Sequence, residues 1–289
     1  MPVHPLHDHP AFTPAFCERE YNNLARIPDH PRYTARWAAD GALARRTQSA
    51  QLGLRYGDAP AETLDYFPPR KPGAPLLVFI HGGYWRALNK SDFSWLAPAY
   101  VARGAAVAIV DYGLAPATPI EESVRQMLRA HAWLYRHAGE LGFDARRIVA
   151  SGHSAGGHLT AMMLAARWRE WAPDLPAGLV AGGLALSGLF DLEPVALAPF
   201  LANLQLTQDQ VSKLSPAYFV PERGTPMIAA VGAAETDEFR RQTGLIAACW
   251  PRNVKRTLVL PDCHHLDICD RLADPEDALF GAACELLGL

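Results

Sequence analysis

The sequence predicts an α/β domain: a mostly parallel eight-stranded sheet with helices on both faces and a small cap. Three observations carry this. Several strand-like runs, at 76–80, 106–110 and 179–186, are continuously apolar, as suits strands covered on both faces. These runs alternate with amphipathic stretches of helical length, the pattern a parallel sheet with crossover helices requires. The rhythm breaks over 190–222, where Pro194, Pro199, Pro216 and Pro221 leave only weak helices; this segment reads as an inserted cap.

The first fifty residues are polar, aromatic and punctuated by proline. They read as an arm that packs on the main domain and ends in a helix over 34–50. Two half-polar strands, 52–56 and 63–67, flank the turn Gly57-Asp58-Ala59-Pro60 and suit an antiparallel edge. A buried strand at 76–80 leads to a helix over 93–103 closed by Gly104, then to a strand at 106–110 and a helix over 120–137. A strand at 148–151 runs into a helix over 155–168. Strands follow at 179–186, 227–231 and 257–260, with a helix over 239–249 and a last one over 275–287. The organisation is thus an arm at 1–50 and one catalytic domain at 51–289 carrying the cap at 190–222, with no internal repeat.

Composition narrows the function. The chain has 289 residues, 49% hydrophobic and 20% charged, an ordinary globular balance. A chain of this length buries roughly three quarters of its unfolded surface, so it needs no disulfide or metal staple. The balance of 27 Lys+Arg against 30 Asp+Glu gives −3 with no basic stripe, which argues against nucleic acid or an anionic membrane as partner. The opening lacks the positive patch and apolar run of a secretory peptide. The longest apolar stretch, between Asp174 and Asp191, is interrupted by Pro176 and glycines and falls short of the roughly 20 residues a span needs. Cys17, Cys249, Cys263, Cys269 and Cys284 form no CxxC pair and read as reduced thiols of a cytoplasmic protein.

The chemistry is concentrated in Gly152-His153-Ser154-Ala155-Gly156, a G-x-S-x-G pattern between a predicted strand and a predicted helix. A serine there can be held in a strained turn that lifts its hydroxyl above the sheet edge. A serine hydroxyl is a weak nucleophile near pH 7, so a base must take its proton. In folds of this type the partners follow in the order Ser, Asp or Glu, His. Glu235, just past the 227–231 strand, and His265, just past the 257–260 strand, stand in that order at carboxyl strand ends, where open α/β sheets place ligands. Asp237 competes with Glu235, and His264 with His265; Glu235 and His265 are preferred. The tetrahedral oxyanion would be met by the Ala155 N–H and by the loop His81-Gly82-Gly83-Tyr84-Trp85, through Gly83 with Gly82 or Tyr84.

With Asp111-Tyr112-Gly113-Leu114-Ala115-Pro116, these motifs resemble the α/β-hydrolase superfamily. More narrowly, the chain is similar to hormone-sensitive-lipase-like esterases and to serine-type arylformamidases (kynurenine formamidases), its H-G-G-Y-W loop being closer to the latter. The likeness spans about residues 15–289, including Tyr21-Asn22-Asn23. It implies Ser154 as nucleophile, Glu235 as acid, His265 as base, and Gly83 with Ala155 as oxyanion donors. The family acid is more usually Asp, so Glu235 is a departure that leaves Asp237 open.

The expected activity is that of a serine hydrolase, without metal or other cofactor, cleaving small acyl esters or aryl formamides through an acyl-enzyme. The alternatives are a general short-chain carboxylesterase and a non-catalytic ligand-binding protein on a hydrolase scaffold. The partner is a small-molecule ester or aryl amide, and a homodimer is an allowed assembly. Tyr84 and Trp85, with Phe12, Phe16 and Tyr21 of the arm, are expected to wall an aromatic leaving group. Phe190, Leu197 and Phe200 of the cap are expected to close the acyl side. Two metal-like clusters, His4/His7/Asp8/His9 and His264/His265/Asp267/Asp270, read as a solvated tail and as part of the catalytic set.

Overall fold

The computed structural model describes residues 12–289, so the His4/His7/Asp8/His9 cluster lies outside the described residues. The arm forms α1 (Pro14–Tyr21), α2 (Asn23–Arg26) and α3 (His30–Thr47). Thr13 caps α1 by accepting the Phe16 N–H, and Asn22 caps α2 through the Ala25 N–H. The α3 helix begins four residues before the expected start. Pro31 sits in its first turn, where no intrahelical donor is lost, so the helix starts before its apolar period becomes visible.

Eight strands make one sheet: β1 (Gln51–Arg55), β2 (Thr63–Phe67), β3 (Ala74–Ile80), β4 (Ala106–Val110), β5 (Phe143–His153), β6 (Val180–Leu186), β7 (Met227–Gly232) and β8 (Val254–Leu260). Their order is β1-β2-β4-β3-β5-β6-β7-β8. The β1–β2 and β2–β4 pairs are antiparallel and the others parallel. The β5 strand starts earlier than its apolar run because Phe143 already pairs with Ala74, and half-exposed Asp144–Arg147 form an irregular stretch between that pair and Leu76–Ile148.

Between strands lie α4 (Ala97–Arg103), α5 (Ile120–Leu141), α6 (Ala155–Ala165) and α7 (Trp168–Trp171). The helix expected over 93–103 divides into a 3-10 segment, Lys90–Leu96, and α4, because Pro98 stands in the α4 first turn. Gly104, at φ 102°, closes it in the left-handed conformation. The 190–222 segment holds α8 (Glu193–Leu197), α9 (Gln208–Leu214) and two 3-10 turns, followed by α10 (Asp237–Cys249), α11 (Ile268–Arg271) and α12 (Ala278–Leu287).

Side-chain alternation along β3 explains the layers. Leu76, Val78 and Ile80 join one apolar cluster with Leu134 of α5, Leu159 of α6 and Phe239 of α10. Leu77 and Phe79 point the other way, into a cluster with Trp37 of α3, Tyr100 of α4 and Phe280 of α12. With both faces covered, the site must form at the strand ends.

Candidate active site

Strand β5 runs into α6 through Ser154, whose φ of 56° and ψ of −116° lie where a side-chain-bearing residue is strained. Such strain costs on the order of 1–3 kcal/mol and is tied down here by the Ser154 N–H donating to the Leu186 carbonyl at 2.8 Å. The flanking glycines are obligatory. A Cβ on Gly152 would lie 2.3 Å from the Gly156 carbonyl oxygen, and one on Gly156 only 1.9 Å from that of Ile80. Ser154 lines a cavity of about 220 Å³, shared with Tyr84, Leu88, Trp37, Phe200, Leu266 and His265.

His265, beyond the end of β8, is buried, and its Nδ1 lies 2.6 Å from Glu235 Oε2. The other oxygen, Oε1, accepts the Ser187 hydroxyl at 2.5 Å and the Gly232 N–H at 2.7 Å. A carboxylate only accepts, so Nδ1 carries the proton and Nε2 keeps the free lone pair of a base. Asp237 stands elsewhere: it opens α10 with its side chain 89% exposed, paired with Arg240. His264 is spent on its own turn, its Nδ1 accepting the N–H groups of Leu266 and Asp267. The structure therefore brings Ser154, Glu235 and His265 to one site and leaves Asp237 and His264 outside it.

The loop after β3 lies against this elbow. A Cβ on Gly82 would stand 2.9 Å from the His153 carbonyl oxygen and 3.2 Å from Ser154 Cβ. Gly83, Tyr84 and Trp85 take φ of 96°, 50° and 53° in succession, a turn closed by the Arg86 N–H to the Gly83 carbonyl at 3.0 Å. Among the described residues no protein acceptor meets the N–H of Gly83 or Tyr84, both residues line the cavity, and Ala155 opens α6 directly after Ser154. His81 anchors the loop by stacking on Tyr112, centroids 4.4 Å apart, with Nε2 3.4 Å from Asp111 Oδ1. Burial would raise the Asp111 carboxyl, but His81 and Lys90 outweigh it and hold the group below its usual range.

The expected aromatic wall is only partly where the sequence placed it. Tyr84 lines the cavity, edge-on to Phe200 at 5.5 Å, and its hydroxyl donates to the Tyr21 carbonyl at 2.6 Å. Trp85 is fully buried against His158, at 5.0 Å, and stands in the core rather than on the cavity wall. The three left-handed residues in succession turn its ring away. Phe190 is buried over Gly188 and Leu197 faces outward, leaving Phe200 as the cap residue at the site. Tyr21 is used for anchorage: its hydroxyl donates to Glu238 at 2.7 Å and accepts from Gln242 at 3.0 Å. Phe12 and Phe16 pack on each other, outside the lining residues.

Other arm residues reach the cavity instead: Asn23, Leu24, His30, Thr34 and Trp37. Asn23 is buried, and its Nδ2 finds no acceptor among the described residues. It also lines a second cavity of about 280 Å³ behind Glu235 and His265, with Arg26, Asp29 and Thr236. The only advance signal was two adjacent asparagines between apolar residues. His153 also lines the first cavity, its ring 4.6 Å from that of His265; burial first, then the His265 charge, pushes its ionisation well below the ordinary histidine range. Among the described residues no group of three or more His, Cys, Asp or Glu side chains could hold a metal, and Asp270 is engaged by Arg36 at 2.7 Å. No helix among them is long and apolar enough to cross a membrane.

Sheet order, covering helices and the strained strand-to-helix serine define an α/β-hydrolase. Residues 64–170 match the BD-FAE family. The chain is 30% identical over 207 residues to kynurenine formamidase of Danio rerio, 69% of this chain and 68% of that one. It is 27% identical over 255 residues to the Salmo salar kynurenine formamidase, covering 85% and 84%. A crystal structure from a Silicibacter species, described as a candidate thioesterase, superposes with a TM-score of 0.80 at 32% identity, covering 90% of this chain and 96% of that one. The chain belongs to the kynurenine formamidase family of serine hydrolases, enzymes of arylformamidase or esterase type.

Proposed function

We propose that the protein hydrolyses small acyl derivatives of aromatic amines and alcohols, aryl formamides foremost, through an acyl-enzyme on Ser154. One observation carries the reading: a strained serine and a 2.6 Å histidine–carboxylate pair meet at one cavity beneath a glycine loop with free donors. His265 Nε2 takes the Ser154 proton as the hydroxyl attacks the carbonyl carbon. Charge builds on the carbonyl oxygen, which the N–H groups of Gly83 or Tyr84 and of Ala155 receive; one such donor is typically worth about 3 kcal/mol. Glu235 keeps the imidazole in the Nδ1–H tautomer and stabilises the imidazolium, which then protonates the departing amine or alcohol. Water attacks the acyl-enzyme by the same route and releases the acid.

The cavity's size supports small substrates. About 220 Å³ between Tyr84, Phe200 and Trp37 suits one aromatic ring with a short acyl group. Formamide over ester rests on the family named above. A general short-chain carboxylesterase is the second reading, favoured by the mainly apolar lining. Arm and cap act as parts of the catalytic domain, since both contribute cavity residues. The unpaired cysteines suit a cytoplasmic setting. The test is kcat/KM on N-formylkynurenine beside p-nitrophenyl esters from C2 to C12. The reading expects the formamide to match or exceed the acetate ester, and ester rates to fall beyond butyrate. A maximum at C8 or longer contradicts the small acyl pocket, and a formamide rate far below acetate leaves the esterase reading.

A further inference from the structure

We propose that Ser187 is a positioning residue for the reaction: its hydroxyl holds Glu235, and Glu235 in turn holds His265, the base for Ser154. This rests on the reading of Glu235 and His265 as acid and base. The Glu235 side chain is fully enclosed, and a glutamate has one more rotatable bond than the aspartate more usual in this role. Its backbone is fixed by its own N–H to the Gly232 carbonyl at 3.2 Å and by Arg240, which donates to its carbonyl at 2.5 Å. The carboxylate needs separate restraint. The Gly232 N–H restrains Oε1 from within the same turn, and Ser187 is the side chain that does so from a neighbouring strand. With both donors on Oε1, Oε2 is left to His265, which sets the plane of the imidazole.

The backbone at Ser187 supports this reading. The residue follows β6, and its N–H extends the ladder to the Ala230 carbonyl at 2.7 Å, beside the strand that ends at Gly232. Ser187 takes φ of 49° although Gly188, which adopts that region freely, is the next residue and does not use it. A serine thus bears the strain in a position that delivers a hydroxyl to Glu235. Ser187 is fully buried and lines neither cavity, so any effect on turnover must pass through Glu235.

The test is a double-mutant cycle. S187A is expected to lower kcat by about 10- to 100-fold, the usual scale for losing a hydrogen bond to a buried charge, with KM changed by less than about threefold. S187G removes the same hydroxyl while relieving the left-handed strain, so it reports on the hydroxyl even where S187A folds poorly. In an E235Q background, adding S187A should cost less than about twofold, because the group it orients is already disabled. Full kcat in S187A or S187G with only a lowered Tm overturns the proposal. So does a loss undiminished in E235Q, which would route the effect elsewhere. An E235Q enzyme of full activity removes the acid assignment itself, and the proposal with it.

Discussion

Tyr84 donates its phenolic hydroxyl to the backbone carbonyl of Tyr21 at 2.6 Å, tying the loop with the free backbone donors to the N-terminal arm. Tyr21 is in turn fastened to α10 through Glu238 and Gln242. Loop, arm and the helix that follows Glu235 are therefore one mechanical unit. Burial holds the Tyr84 hydroxyl far above its usual ionisation range, so it stays a neutral donor.

Tyr84→Phe should expose that coupling. The ring remains on the cavity wall, while the Tyr21 carbonyl loses its Tyr84 donor, at a stability cost of about 1–3 kcal/mol. Urea unfolding should show the loss, and steady-state kinetics should show KM rising more than kcat falls. An unchanged KM would mean that the arm holds its cavity residues without this bond.

Glu235→Gln and Asp237→Asn separate the two acids. The first should lower kcat by about 10³- to 10⁴-fold, because the amide cannot hold the imidazole in the required tautomer and charge state. The second should stay within about threefold, since an exposed pair with Arg240 is worth little. The reverse ranking reassigns the acid.

Much of this was legible in the sequence. The apolar runs marked the later strands, the half-polar pair about the Gly57–Pro60 turn marked the antiparallel edge, and the Ser, Glu, His order at carboxyl strand ends marked the site residues that the structure brings together. What stayed hidden depended on three-dimensional direction. Trp85 and Tyr84 are neighbours in a loop of left-handed residues, so one ring faces the core and the other the cavity. Asn23 and Ser187 are polar residues in apolar surroundings, a pattern that marks satisfied core groups as often as functional ones. Only packing shows that one lines the cavity and the other reaches Glu235.

Buried histidines should make the fold acid-sensitive before its carboxylates titrate. Burial pushes His131 and His158 down to about 4, each bonded to a backbone carbonyl, and His153 is lowered as well. Below a pH of about 6.5 the unfolded chain takes up protons that these folded sites refuse, so stability falls with falling pH toward about 4. Between pH 7 and 5, His131 and His158 should each account for a loss of roughly 2 kcal/mol in urea-unfolding free energy. A flat profile over that window would show that the folded sites accept the proton.

Covalent capture separates chemistry at Ser154 from chemistry anywhere else in the protein. Incubation with a fluorophosphonate, followed by intact-mass measurement and peptide mapping, should show one adduct on the peptide carrying Ser154. Ser154→Ala should show none and should lose hydrolysis of p-nitrophenyl acetate and N-formylkynurenine together. An adduct on another residue, or turnover that survives in Ser154→Ala, would place the nucleophile elsewhere.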